Sequence, residues 1–211
     1  LGTWFSIFGV AIALLLFVTN PFVSKAQLVV TSLNPIADTY VASDSPTTVR
    51  GTDPTLQVDG SPIKIIYIKY DLSPLIGLSI SSAKLRFKVV DSSSSVQTVK
   101  QVSDTSWSET AITYNVRPAL GSPLTTLTGG KSGTFVEVDV TAYVNAKLGQ
   151  IVSFGIDSTG SDGLDLNSRE ATTDKPTLVI NSGTVSASPT PSVTPRPSAT
   201  SWRRSASRAS S

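Results

Sequence analysis

The chain has no histidine, no cysteine and no methionine among its 211 residues. Without histidine or cysteine, neither a Ser-His-Asp nor a Cys-His nucleophilic arrangement can form. A zinc site of the usual nitrogen and sulfur ligands is excluded on the same ground. No disulfide staples the fold, so stability must come from a buried core, with a bound metal as the other source of support. Charge is sparse too, at 15% of residues, and aromatic residues make up 7%. Paired-carboxylate chemistry stays formally open, since glycoside hydrolysis needs only two acids at a set separation. Glu109, Glu137 and Glu170 are the glutamates available for it, and Glu137 alternates with Asp139 as on a solvated strand face. The composition reads as a non-catalytic module.

Three regions follow one another. Residues 1–24 carry no charge, and Ile7 to Val18 is apolar apart from Gly9 before Asn20-Pro21 breaks the run. Ser24 and Ala26 then stand at the −3 and −1 positions of a cleavage site. This predicts a secretory signal over residues 1–26. The rival reading is an uncleaved membrane anchor over Trp4 to Val23. Either reading puts the rest of the chain outside the cytoplasm, secreted or at the cell surface, and makes a membrane partner depend on the leader being kept. Residues 27–33 read as a short lead-in and residues 34–183 as the folded module. From 184 to 211 the chain is rich in Ser, Thr and Pro, which predicts a disordered linker with a domain expected beyond it.

The basic pI of the chain belongs to its ends. Residues 27–184 hold 12 basic and 15 acidic residues, a net of −3, while Lys25, Arg196, Arg203, Arg204 and Arg208 lie outside them. Global charge therefore gives no footprint for nucleic acid.

Period-2 runs mark the module as all-β. Leu56 and Val58 form one; Ile66, Ile68, Tyr70 and Leu72 form another. Ala83, Leu85, Phe87 and Val89 alternate with Lys84, Arg86 and Lys88. Val136 to Val140, Val152 to Ile156 and Leu178 to Ile180 complete the series, with turn clusters between them. A short helical turn is predicted at Thr141 to Lys147, capped by Thr141. Nine or ten short strands with one apolar face each predict a jelly-roll-like two-sheet β-sandwich, with an immunoglobulin-like sandwich as the second choice.

Ordered fragments carry a family resemblance. They are Asn34 to Val41, Gly51 with Leu56-Gln57-Val58, Tyr67-Ile68-Lys69-Tyr70-Asp71-Leu72-Ser73 and Ile80 to Arg86. Trp107-Ser108-Glu109 with Ile112 to Asn115 and Pro118, Asp139-Val140-Thr141 with Tyr143-Val144, and Ser168-Arg169-Glu170 complete them. Together they resemble the DNRLRE domains, which include carbohydrate-binding module family 96, over roughly residues 34–181. The chain departs at Val49-Arg50-Gly51, where the family often has Asn-Tyr-Gly. The resemblance implies an extracellular β-sandwich that binds polysaccharide, including the polyuronate alginate, and tethers a larger protein to it. The alternative is a structural or adhesive spacer of a surface protein with no sugar ligand.

Several residues are candidates for contact with a glycan. Arg169 and Glu170 read either as a ligand-gripping pair or as a tie between loop and rim. Lys84, Arg86 and Lys88, with Lys69 on a neighbouring strand, form a cationic row that suits an acidic polymer or protects an edge strand. Trp107 reads as core or as a stacking platform, with Tyr67 as the alternative platform. Calcium is the expected metal, held by loop oxygens of Asp38, Asp157, Asp162 and Asp165.

Overall fold

The computed structural model describes residues 28–183; the expected leader and linker lie outside them. Strands β1 (Leu28–Leu33), β2 (Ala37–Ala42), β3 (Thr55–Gly60), β4 (Ile63–Asp71), β5 (Ser79–Asp91) and β6 (Val96–Val102) come first. They are followed by β7 (Pro123–Thr128), β8 (Phe135–Asp139), helix α1 (Thr141–Asn145), β9 (Ile151–Ser158), β10 (Leu164–Asn167) and β11 (Thr177–Gly183). Every pairing is antiparallel. Strands β1, β11, β5 and β8 make one layer, and β2, β4, β9, β6 and β7 make the other. Short β10 pairs with both β5 and β3, so the two layers join along one curled edge. The all-β sandwich expected from the alternation is what forms.

The core lies between the layers. Leu85, Phe87, Leu178 and Ile180 face Ile66, Ile68, Tyr70, Phe154 and Ile156, with Leu56, Val58, Leu164 and Leu166 closing the joined side. Tyr70 and Phe154 meet edge to face, with centroids 6.3 Å apart. A register shift between Asn181 and Ser182 lets β5 bury Ile80 as well as Ala83, Leu85 and Phe87, which straight alternation does not allow.

Two local expectations change. The lead-in belongs to the module, because β1 pairs with β11 from Leu28↔Gly183 to Leu33↔Leu178. Thr141 does not cap α1: Val140 holds that position, and the Thr141 hydroxyl accepts from the Ala83 amide at 2.9 Å instead. Among the described residues, no helix is long and apolar enough to cross a membrane.

Candidate functional site

Strand β4 is buried on both faces. Ile66, Ile68 and Tyr70 point between the layers, so Ile65, Tyr67 and Lys69 point away from them. The segment 103–122, between β6 and β7, folds back over that outer face. There Trp107 and Ile112 pack with Ala37, Val41, Ile65, Tyr67 and Val102 into a second apolar cluster. A loop of this length is ordered only when it is tied down, and the ties are specific. Lys69 Nζ donates to the carbonyls of Trp107 (2.6 Å) and Thr105 (3.0 Å) and lies 4.5 Å from the Trp107 ring centroid. Trp107 Nε1 donates to Ser153 Oγ at 2.9 Å, and the Tyr67 hydroxyl to the Pro118 carbonyl at 2.7 Å. Burial pushes the Tyr67 phenol up to about 12. Burial also lowers the Lys69 ammonium, against the pull of Glu109 and Asp104.

These contacts decide three sequence readings. Trp107 is core. Tyr67 is no platform, since it is wholly buried beneath the loop. Lys69 is an internal brace and stands apart from the row on β5.

The loop has one ionic fastening among the described residues. Glu109 Oε1 accepts from Arg169 Nη1 at 2.7 Å, and Glu109 Oε2 accepts from the Asp38 amide at 3.1 Å. Arg169's own amide donates to Asp38 Oδ2 at 2.8 Å, and its Nε lies 3.6 Å from Glu170 Oε1. Arg169 is thus a structural tie between the β10–β11 connection, the loop and β2. Burial works to lower its pKa, but Glu109, Glu170 and Asp38 outweigh that and raise it. Asp38 is fully buried, and burial pushes its carboxyl up to about 8 against the Arg169 amide, with Glu170 and Glu109 adding to the rise. Gly51 makes the fastening possible: a Cβ there would lie 2.2 Å from the Glu109 carbonyl oxygen. Beside it Arg50 lies 4.9 Å from the Tyr40 ring centroid and bonds Ser45 Oγ.

The four carboxylates expected to hold calcium are not gathered at one point, although Asp162 and Asp165 share a hollow. Asp157 pairs with Lys100 at 2.6 Å. Asp162 accepts from the Ser94 amide and hydroxyl. Asp165 accepts from Gln57 Nε2 and, with Asp162, Asp59, Asp91 and Lys64, lines a hollow of about 270 Å³. Asp38 joins a different set, Asp38, Glu109 and Glu170, whose ligand atoms lie within 4.8 Å of one another. That set does not fit calcium, which takes six to eight oxygens. Its unpartnered oxygens are Asp38 Oδ1 and Glu170 Oε2, and the Arg169 guanidinium already stands among the carboxylates.

The β5 row is half-buried, and each of its three cations is paired, with two carboxylates shared among them. Lys84 and Arg86 share Glu137 at 3.4 and 3.9 Å, and Lys88 meets Asp174 at 3.5 Å. Edge protection is not its role, because β5 is paired with β11 on one side and with β8 on the other.

The loop's outer stretch walls a cleft of about 800 Å³ on the β4–β9–β6 face. Ile63, Ile65 and Leu120 supply its apolar surface; Lys100, Asp157, Ser158 and Thr159 supply polar groups. Leu120 reaches the sheet because Gly155 has no side chain: a Cβ there would lie 2.2 Å from Leu120 Cδ2. Tyr114 and Arg117 form the wall, the guanidinium 3.8 Å from the ring centroid and donating to the Tyr114 carbonyl. Among the described residues Arg117 has no carboxylate within ion-pair distance, so it lines the cleft without a direct ionic partner. An apolar surface with a few convergent polar groups is the usual form of a small-ligand site.

A family model for carbohydrate-binding module family 96 matches residues 29–182. The chain belongs to that family. The family 96 module is also 30% identical over 129 residues to a gellan lyase from Bacillus sp., covering 56% of this chain and 5% of the lyase. It therefore spans a small part of that relative. None of the eight residues singled out from sequence for glycan contact lines this cleft. Tyr114, Arg117 and Lys100 were missed. The available signal was an aromatic and an arginine three apart, followed directly by Pro118.

Proposed function

We propose that the module binds polysaccharide in the loop-walled cleft, without catalysis, and that it prefers an acidic glycan. The observation that carries this reading is the Tyr114–Arg117 wall, where a guanidinium without a direct ionic partner stands beside an apolar surface. A sugar ring rests on the apolar surface, and a uronate carboxylate accepts from the guanidinium. Lys100 adds charge once a ligand competes with Asp157. Asp157 is the one carboxylate among the described residues lining the cleft, so a glycosidase pair is not formed there. The module's role is then to hold a larger extracellular protein on its glycan and raise the local concentration of substrate.

Affinity gels containing gellan, alginate, pectate or a neutral glucan test this. At least one acidic polymer should retard the chain more than the glucan does, and added salt should weaken the effect. Arg117→Ala should weaken binding about tenfold, the usual loss for a charge-assisted hydrogen bond. Equal mobility in all four gels, or full retention by Arg117→Ala, contradicts the reading.

A further inference from the structure

We propose that Glu109 is a positioning residue for the cleft. It touches no ligand, but it fixes the loop that carries Tyr114 and Arg117. This inference rests on the binding reading above.

The path from fastening to wall is short and stiff. Glu109 is clamped at both carboxylate oxygens by groups from two separate parts of the sandwich, Asp38 on β2 and Arg169 before β11. The amides of Ala111 and Ile112 both bond the Ser108 carbonyl, closing a turn around Glu109. Ile112 is then buried in the second apolar cluster. Tyr114 follows, the Asn115 amide bonds the Pro46 carbonyl, and the Tyr67 hydroxyl holds Pro118. The wall is therefore held in sequence at Glu109, Ile112, Asn115 and Pro118, with Glu109 as its ionic tie. Freeing the Glu109 end lets Tyr114 and Arg117 spread over more positions, so a ligand must restore the order when it binds.

The test uses the full chain and three probes, gellan, alginate and pectate oligomers, in a double-mutant cycle followed by calorimetry. Glu109→Gln keeps the size and the acceptor but removes the charge that holds Arg169. Its Kd for the bound oligomer should rise about tenfold, with unchanged stoichiometry. A merely destabilised protein would instead show fewer binding sites at the same Kd. In an Arg117→Ala background the same change should alter Kd less, by about threefold, because Tyr114 is then the only positioned group left. Hydrogen exchange should speed up over residues 108–118 and stay unchanged in β4 and β9. Arg169→Lys, which keeps charge but loses the forked geometry, should give a smaller shift of the same kind. Glu109→Gln with wild-type Kd, or with the same effect in both backgrounds, overturns the positioning role alone. Loss of binding in Arg117→Ala beside that result leaves the cleft reading standing. No binding of any of the three oligomers by the wild-type chain overturns both.

Discussion

Replacing Asp38 by Asn should stabilise the module, and by an amount that grows with pH. Asp38 is fully buried and its carboxyl holds its proton up to about 8, against an ordinary value of 3.8. Burial is the main cause, and the neighbouring Glu170 and Glu109 add to it. In the unfolded chain the same group ionises near 3.8. The native state therefore binds the extra proton between those limits, and stability falls as pH rises through them. At about 1.4 kcal/mol per pH step, the cost reaches at most about 4 kcal/mol at pH 7 and less than half of that at pH 5. An asparagine carries no such cost. Its carbonyl can still accept from the Arg169 amide, and its amide can donate to the unpartnered Glu170 Oε2. Because a neutral amide makes a weaker hydrogen bond to a carboxylate than a protonated carboxyl does, about half of the limit should be realised, roughly 2 kcal/mol at pH 7. Urea unfolding at pH 5, 7 and 9 reads the difference between variant and wild type. It should widen from pH 5 to pH 7 and level off above pH 8. A variant less stable than wild type at pH 7, or a gap independent of pH, would refute the reasoning.

Two further outcomes follow from the same geometry. Lys84→Ala with Arg86→Ala should leave retention by acidic gels unchanged and shift stability by less than about 1 kcal/mol, because both cations are partly exposed and already share Glu137; a lost interaction with polyuronate would move the site to the β5 face. Gly51→Ala should cost about 1–3 kcal/mol in urea unfolding, since its Cβ would lie 2.2 Å from the Glu109 carbonyl oxygen, and the unchanged stability of that variant would show that the loop does not dock there.

Long strands with one apolar face were legible. Strands β4, β5 and β9 announce themselves because their core-facing residues are large, and β5 stays in phase from Ala83 to Val89. Strand β2 was not, because all six of its residues are buried and Asp38 and Thr39 break any period of two. Strand β6 buries Gln97 beside Val99 and so reads as half polar. The site failed for a related reason. Alternation correctly turned Tyr67 and Lys69 away from the central core, but a polar strand face is open to solvent only if nothing folds over it. The cover is a non-local loop, and no local pattern in β4 reveals it. The Arg169 tie was readable as a motif, yet its partner Glu109 lies 60 residues away in sequence, where spacing carries no information.

The pairing of β1 with β11 also sets how the module responds to pulling. Leu28 and Gly183 face each other at one end of that ladder, so the flanking chain enters and leaves at a single corner. Tension between the two flanks acts across the ladder and breaks its hydrogen bonds one at a time, starting at Leu28↔Gly183. That is peeling, which needs far less force than shearing all the bonds together. Tension between a glycan bound as proposed in the cleft and the flanking chain would take a different route. It enters through β4, β9 and β6, which lie inside the second layer, and crosses the core to reach β11. The same module should then be mechanically soft as a link in a chain and firm as an anchor on a polymer.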